Sequence, residues 1–253
     1  MARIPIACQL YTLRDIMKTD FLGVIGKVAK IGYTGVELAG TGGLAAADLK
    51  KELDKLGLKA CGTHVGIWEL ENKLAETVAF YKTLGTKYIV CPWWPEERRK
   101  TGADWKQSGQ TLNDIGAKLR AQGMQLLYHN HAFEFTQYDG KFGCDIFFEN
   151  STAENLKCEM DLYWIQYGGQ EPAAFLKKYK GRVPLVHVKD MQGTPEKKFA
   201  NVGAGIMDWK KILPAAAEAG AEWYIVEQDN CYGQDPLEAV TRSYAYLKGL
   251  GYA

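Results

Sequence analysis

The chain has 253 residues, with 47% apolar side chains, 24% charged side chains and a formal net charge of +1. This composition is typical of a globular protein that buries a sizeable core. The near-neutral charge argues against a nucleic-acid partner or a membrane partner, and no apolar run reaches the ~20 residues of a membrane-spanning helix.

Eight short runs are predicted to be strands, because each is rich in apolar or β-branched residues and ends at a polar or glycine-containing loop. In chain order they are Ile4–Leu10, Gly35–Leu38, Leu58–His64, Tyr88–Cys91, Gln125–His131, Leu156–Met160, Val183–Val188 and Trp223–Val226. Amphipathic patterns between them predict helices, one of them over Asp208–Ala219. This strict alternation favours a parallel sheet covered by helices.

Eight strand–helix repeats over residues 1–253 predict a single α/β domain, a closed (β/α)8 TIM barrel. An open doubly wound sheet is the alternative. It is weakened because Gln9-Leu10-Tyr11-Thr12 follows the first strand, where a glycine-rich dinucleotide-binding turn would stand.

The six cysteines form no CxxC pair, and four of them lie in or beside strand-like runs. Such placement is typical of buried free thiols in a reducing compartment. The N-terminus, Met1-Ala2-Arg3-Ile4-Pro5, lacks the pattern of a signal peptide. We therefore predict a cytoplasmic protein.

Ionisable residues concentrate at the ends of the predicted strands, where the active sites of such barrels lie. The last four strands end in His129-Asn130-His131, Glu159-Met160-Asp161, His187-Val188-Lys189-Asp190 and Glu227-Gln228-Asp229, and the second and third end at Glu37 and His64. The two-residue period of a strand places alternate members of each ending on one face. Imidazoles and carboxylates from neighbouring strands favour one divalent ion, Mn²⁺, Mg²⁺, Co²⁺ or Zn²⁺. The alternative is a set of structural polar ends that cap the barrel.

These endings carry a resemblance to the xylose-isomerase-like barrel superfamily, the sugar phosphate isomerases/epimerases, whose members include D-tagatose 3-epimerase, hydroxypyruvate isomerase and inosose dehydratase. It covers essentially the whole chain. Its most specific segments are Gln9-Leu10-Tyr11-Thr12-Leu13-Arg14-Asp15, Tyr128-His129-Asn130-His131-Ala132-Phe133-Glu134-Phe135, Cys158-Glu159-Met160-Asp161, His187-Val188-Lys189-Asp190, Val202-Gly203-Ala204-Gly205-Ile206-Met207-Asp208-Trp209 and Val226-Glu227-Gln228-Asp229.

The resemblance implies that the metal is held by Asp161, His187, Glu227 and a residue of strand five. That last position is His129, where the family has a glutamate. A second departure is Trp164, where the family often has a histidine that contacts the substrate. In the epimerases, two metal-bound glutamates move a proton on opposite faces of the substrate, and His129 breaks this pair.

The family chemistry implies abstraction of an α-proton and an enolate stabilised by the metal. We expect Glu227 to be the base, with His131 or Glu134 as the second acid/base group. The leading hypothesis is an isomerase or epimerase of a keto-sugar or related polyol. The alternative is a lyase that eliminates water or an alcohol from a 3-keto-sugar, a 3-keto-glycoside or an inosose, and His129 favours it.

Five further residues are candidates for binding the small carbohydrate substrate: His64, Trp93, Trp94, Lys189 and Glu37. The two tryptophans follow strand four and are expected to form a wall for a sugar ring, with loop packing as the alternative. Glu37 is placed to contact substrate or to form a buried ion pair. Assembly into a homo-oligomer is compatible with this sequence.

Overall fold

The computed structural model describes residues 3–252. Eight parallel strands form the sheet: β1 Ile6–Gln9, β2 Gly35–Leu38, β3 Lys59–His64, β4 Tyr88–Cys91, β5 Gln125–His129, β6 Leu156–Asp161, β7 Leu185–Val188 and β8 Trp223–Val226. They close into a barrel in the order β1-β8-β7-β6-β5-β4-β3-β2. Two hairpins lie outside the barrel, Gln137–Tyr138 with Lys141–Phe142 and Asp190–Met191 with Phe199–Ala200. The closed barrel confirms the predicted fold class.

Helices lie between the strands, as the amphipathic pattern predicts. The α-helices are Arg14–Met17, Phe21–Ile31, Ala46–Lys55, Ile67–Asn72, Leu74–Leu84, Gly102–Ala121, Gly143–Glu149, Leu162–Tyr167, Pro172–Lys178, Trp209–Ala219 and Pro236–Gly249. Short 3-10 helices span Leu10–Leu13, Glu96–Arg98 and Phe133–Phe135. None of the helices described is long and apolar enough to cross a membrane.

Two strands end earlier than predicted, because side chains accept backbone N–H groups just beyond their ends. The first strand stops at Gln9, whose side-chain oxygen accepts the N–H of Tyr11 and starts a 3-10 turn. The fifth strand was predicted to reach His131 but ends at His129. There a carboxylate oxygen of Glu134 accepts the backbone N–H of His131 at 2.9 Å. His131 therefore belongs to the loop above the barrel.

Two packed layers position the strand ends. An apolar cluster fills the barrel interior: Ala7, Cys61, Tyr88, Val90, Leu127, Leu185 and Ile225. A much larger core packs the outer faces of the strands against the helices. The six cysteines are free thiols and five of them are buried, which confirms that prediction. The interior cluster forms an apolar floor beneath the polar residues at the carboxyl ends of the strands.

Candidate active site

The carboxyl ends of the strands surround a cavity of about 460 Å³, a size within the usual range of small-molecule sites. Its lining combines imidazoles, carboxylates, one lysine and aromatic rings: Tyr11, Ala39, His64, Pro92, Trp93, His129, His131, Lys189, Glu227 and Asp229. Three of the predicted substrate contacts, His64, Trp93 and Lys189, are among these residues. A barrel of this class carries its chemistry at this end.

Two buried histidines are each fixed by a carboxylate on one ring nitrogen. His129 Nδ1 lies 3.0 Å from Glu159 Oε2, and His187 Nε2 lies 2.6 Å from Glu37 Oε2. The other nitrogen of each ring faces Asp161 Oδ2, at 3.7 Å from His129 Nε2 and 3.9 Å from His187 Nδ1. His129 Nε2 and His187 Nδ1 therefore both point toward Asp161 Oδ2.

Glu227 completes this group from β8. Its Oε2 atom lies 2.7 Å from His187 Nδ1 and 2.7 Å from Lys189 Nζ. Burial alone would raise the pKa of Glu227, but Lys189 and His187 outweigh it and hold that pKa well below its ordinary range. Glu227 is therefore an ionised carboxylate.

Lys189 stands among three carboxylates with 2% of its surface exposed. Its Nζ atom lies 2.9 Å from Asp161 Oδ2, 2.7 Å from Glu227 Oε2 and 2.8 Å from Asp229 Oδ1. Burial lowers the pKa of Lys189, but the three carboxylates dominate and raise it well above its usual value. A permanent positive charge therefore adjoins the ligand-type oxygens.

Glu37 and Glu159 are fully buried beneath the cavity. Glu159 Oε2 also lies 2.9 Å from His64 Nε2, and Gln9 Nε2 donates to Glu37 Oε2 at 2.8 Å. Burial and the neighbouring Glu159 raise the pKa of Glu37 to about 7. For Glu159, burial is outweighed by His187 and the other imidazoles, and its pKa falls well below the usual range. Their role is to orient imidazoles.

The prediction that Glu37 contacts substrate is wrong, because its side chain lies under the imidazole of His187 and outside the cavity lining. Gly62 in β3 makes room for it, since a Cβ there would come within 2.5 Å of Glu37 Oε1. The buried ion pair, the other interpretation of Glu37, is the observed arrangement.

The prediction that Trp94 lines the mouth is also wrong. Its side chain is fully buried against Tyr128 and Phe147, and its indole N–H donates to the carbonyl of Arg98 at 3.2 Å. Trp93, in contrast, is 50% exposed and contacts the ring of His131 edge-on at 4.9 Å. Adjacent residues of an extended loop point to opposite sides, so only one of the pair reaches the cavity.

Glu134 lies outside the cavity lining, although His131 is part of it. The two oxygens of Glu134 accept hydrogen bonds from the Tyr128 hydroxyl at 2.7 Å and from the His131 backbone N–H. Burial raises the pKa of Glu134 to about 7. These contacts make Glu134 a positioning residue for the loop that carries His131.

Two groupings of ligand-type side chains have their donor atoms within 4.8 Å of one another. They are His64, His129, Glu159 and His187, and Asp161, His187 and Glu227. In the first, a single oxygen of Glu159 faces three imidazole nitrogens, at 2.9, 3.0 and 3.1 Å, which is a hydrogen-bonding arrangement. In the second, Asp161 Oδ2 is buried and faces the ammonium of Lys189 at 2.9 Å, without a hydrogen bond of good geometry among residues 3–252.

The second grouping, extended by His129, fits a divalent ion best. A metal-binding histidine usually donates its other ring N–H to a carboxylate, and Glu159 and Glu37 occupy that position for His129 and His187. Asp161 Oδ2 takes no part in capping the helix that follows, because only Oδ1 accepts the N–H of Trp164, and Oδ2 points with Lys189 toward the same space. The donors present therefore fit the predicted ligands.

Three polar residues of the site were absent from the predicted set: Glu159, Asp229 and Tyr11. The two-residue period of the strands already placed Glu159 beside Asp161 and Asp229 beside Glu227. The burial of Glu159 beneath two histidines depends on the closure of the barrel. Tyr11 reaches the cavity from the 3-10 turn after β1; it belongs to a segment that carries the family resemblance, but no role was assigned to it.

Known proteins resemble this chain over nearly its full length. An inosose dehydratase from Clostridium perfringens is 25% identical, covering 96% of this chain and 95% of the relative. A sugar phosphate isomerase/epimerase from Parabacteroides distasonis superposes with a TM-score of 0.86 at 26% identity, covering 100% of this chain and 96% of that one. An IolI protein, solved with a bound zinc atom, has a TM-score of 0.74 at 15% identity, covering 97% of each chain.

The family profile described as xylose isomerase-like TIM barrel matches residues 25–250. That span contains every barrel strand except β1, and all the histidines and carboxylates and the lysine of the cavity. Both isomerases/epimerases and dehydratases occur among the relatives, so an enzyme of one of these two classes is indicated. The chain belongs to the xylose isomerase-like TIM barrel family.

Proposed function

We propose that the protein is a metal-dependent carbon–oxygen lyase that eliminates water or an alcohol from a small keto-sugar or keto-polyol. The observation that carries this proposal is the asymmetry of the cavity. One wall presents the imidazoles of His64, His129 and His131, whereas the ionised carboxylate of Glu227 lies beside Lys189. Epimerisation by a matched pair of metal-bound glutamates has no counterpart in this arrangement.

The ligands we propose for the ion are His129, Asp161, His187 and Glu227. Support comes from the orientation of both histidines by buried carboxylates and from the zinc bound to the related IolI protein. The ion supplies a Lewis acid for the carbonyl oxygen of the substrate. Metal analysis of the purified protein will identify the ion among Mn²⁺, Mg²⁺, Co²⁺ and Zn²⁺.

His131 is the group we propose to move the proton. Its ring lines the cavity, and Nδ1 is buried without a hydrogen-bond partner among the described residues. Burial lowers the pKa of His131, so the imidazole is neutral at pH 7 and has a free lone pair. Glu227 is less available as a proton acceptor, because its Oε2 atom already contacts Lys189 Nζ and His187 Nδ1, each at 2.7 Å.

In the proposed elimination, a single group takes up the proton and then returns it. The imidazole of His131 takes the hydrogen from the carbon next to the carbonyl, and the carbon–oxygen bond one carbon further breaks. A carbon–carbon double bond forms, and the imidazolium returns the proton to the departing oxygen as water or alcohol. Lys189 and His64 are positioned to hold oxygens of the substrate. The exposed rings of Trp93 and Tyr11 offer apolar faces to a sugar.

A panel of 2-keto and 3-keto sugars and inososes in deuterated buffer tests this proposal. We expect an unsaturated ketone, seen by its absorbance, to form in step with loss of substrate. His131→Gln should lower the rate by about 10²–10⁴-fold, the usual loss for a general base. Thr136→Ala is the matched control, because Thr136 is an exposed residue of the same loop that does not line the cavity. Interconversion of ketoses with deuterium incorporation and no unsaturated product would contradict a lyase.

An isomerase or epimerase is the second candidate. The family resemblance and the sugar phosphate isomerase/epimerase of 26% identity favour it. Its proton transfers would use Glu227 on one side of the substrate and His131 on the other, since both line the cavity. The same panel distinguishes the two classes.

A further inference from the structure

We propose that Lys189 limits the affinity of the site for its divalent ion by holding the two carboxylate oxygens that would bind it. This inference rests on the metal site proposed above. It assigns to Lys189 a role toward the ion in addition to any contact with substrate. The expected outcome is an ion that exchanges readily and a fold that forms without it.

The position of the ammonium carries the argument. Lys189 Nζ lies 2.9 Å from Asp161 Oδ2 and 2.7 Å from Glu227 Oε2, and the same two oxygens face His187 Nδ1, at 3.9 and 2.7 Å. Asp229 Oδ1 contacts Nζ from a third side at 2.8 Å. With 2% exposure, the lysine is held by packing and by these three partners. Moving this buried side chain away would break its contacts with all three carboxylates.

Two electrostatic consequences follow. An incoming dication shares its oxygen ligands with a cation already in contact with them, and the repulsion is large where solvent is excluded. In the absence of the ion, Lys189 compensates Asp161 and Glu227, which would otherwise be neighbouring buried anions. Removing the ammonium should therefore tighten metal binding and make the fold depend more strongly on the metal.

Equilibrium titration with Co²⁺ alone, followed by its visible absorption, tests the proposal. Lys189→Met keeps much of the side-chain volume and removes the charge, and we expect it to bind Co²⁺ at least about tenfold more tightly than the wild type. Lys189→Arg keeps the charge and should remain near the wild-type affinity. Lys198→Met removes an exposed lysine paired with Glu196 and should change nothing.

Thermal unfolding gives an independent readout. Co²⁺ should raise the Tm of Lys189→Met more than that of the wild type, because a tighter ligand of the native state stabilises it more. If Lys189→Met does not fold, Lys189→Gln takes its place in both measurements. The spectrum also reports whether the same ligands hold the ion in each variant.

The outcomes separate this inference from the proposed function. Equal or weaker Co²⁺ binding by a folded Lys189→Met, with normal binding by the wild type, overturns the role of Lys189 and leaves the metal site intact. The absence of Co²⁺ binding in every variant overturns both. A change confined to KM for the sugar, with unchanged Co²⁺ affinity, would make Lys189 a substrate contact only and also overturns the proposal.

Discussion

Replacing Glu159 with glutamine should weaken metal binding although Glu159 is not a proposed ligand. Its fully buried Oε2 atom lies 3.0 Å from His129 Nδ1 and 2.9 Å from His64 Nε2. A glutamine oxygen can take the place of Oε2, but it is neutral and accepts more weakly from the imidazoles, and the NH₂ group would occupy the buried Oε1 position, where no hydrogen-bond partner stands among the described residues. Loss of such a partner usually lowers metal affinity by about 10–100-fold, equivalent to about 1.4–2.7 kcal/mol.

The assay is the equilibrium titration with Co²⁺, with circular dichroism as a check that the variant is folded. Glu154→Gln is the matched control, because Glu154 is an exposed residue just before the same strand. Its affinity for Co²⁺ should equal that of the wild type. If Glu159→Gln binds Co²⁺ as tightly as the wild type, the orientation of His129 by Glu159 has no role, and the reasoning fails.

Three further predictions follow from the structure. His129→Glu should retain the metal but shift the products from unsaturated ketone toward epimers, and an unchanged product ratio would refute this. Gly109→Ala should lower the free energy of unfolding by about 1–3 kcal/mol, because a Cβ there would clash with the carbonyl of Phe147; Gly26→Ala, with open space around its Cβ, should not destabilise. Burial raises the pKa of Glu134 from 4.5 to about 7, so its stabilising contribution, present below the first value, is lost as pH rises through the second. Urea unfolding on either side of this window should show that fall in the wild type and a smaller one in Glu134→Gln.

The barrel followed from the sequence because its signal is repeated eight times. Short apolar strands such as Gly35–Leu38 and Tyr88–Cys91 have the predicted bounds, since turn residues flank them closely. The end of strand five was placed two residues too far. Its termination depends on a hydrogen bond from the His131 N–H to Glu134, which periodicity alone does not reveal.

Residue type and strand position were sufficient to bring Asp161 and His187 together at the ends of neighbouring strands. Residue type and strand position were not sufficient where the direction of a side chain determines whether it reaches the cavity. Trp94 and Glu37 have the residue types of sugar contacts, yet one packs into the outer core and the other supports a histidine from below. The role of Glu159 could not be predicted without the closed barrel, because its three histidine partners come from β3, β5 and β7.

The most direct test of the account is the anomalous diffraction of crystals grown with Co²⁺ or Zn²⁺. The account predicts one peak at the carboxyl ends of the strands, in contact with His129, Asp161, His187 and Glu227. Glu37 and Glu159 should remain hydrogen-bonded to the far nitrogens of the two histidines. A peak bound by Glu159, or no peak at this end of the barrel, would contradict it.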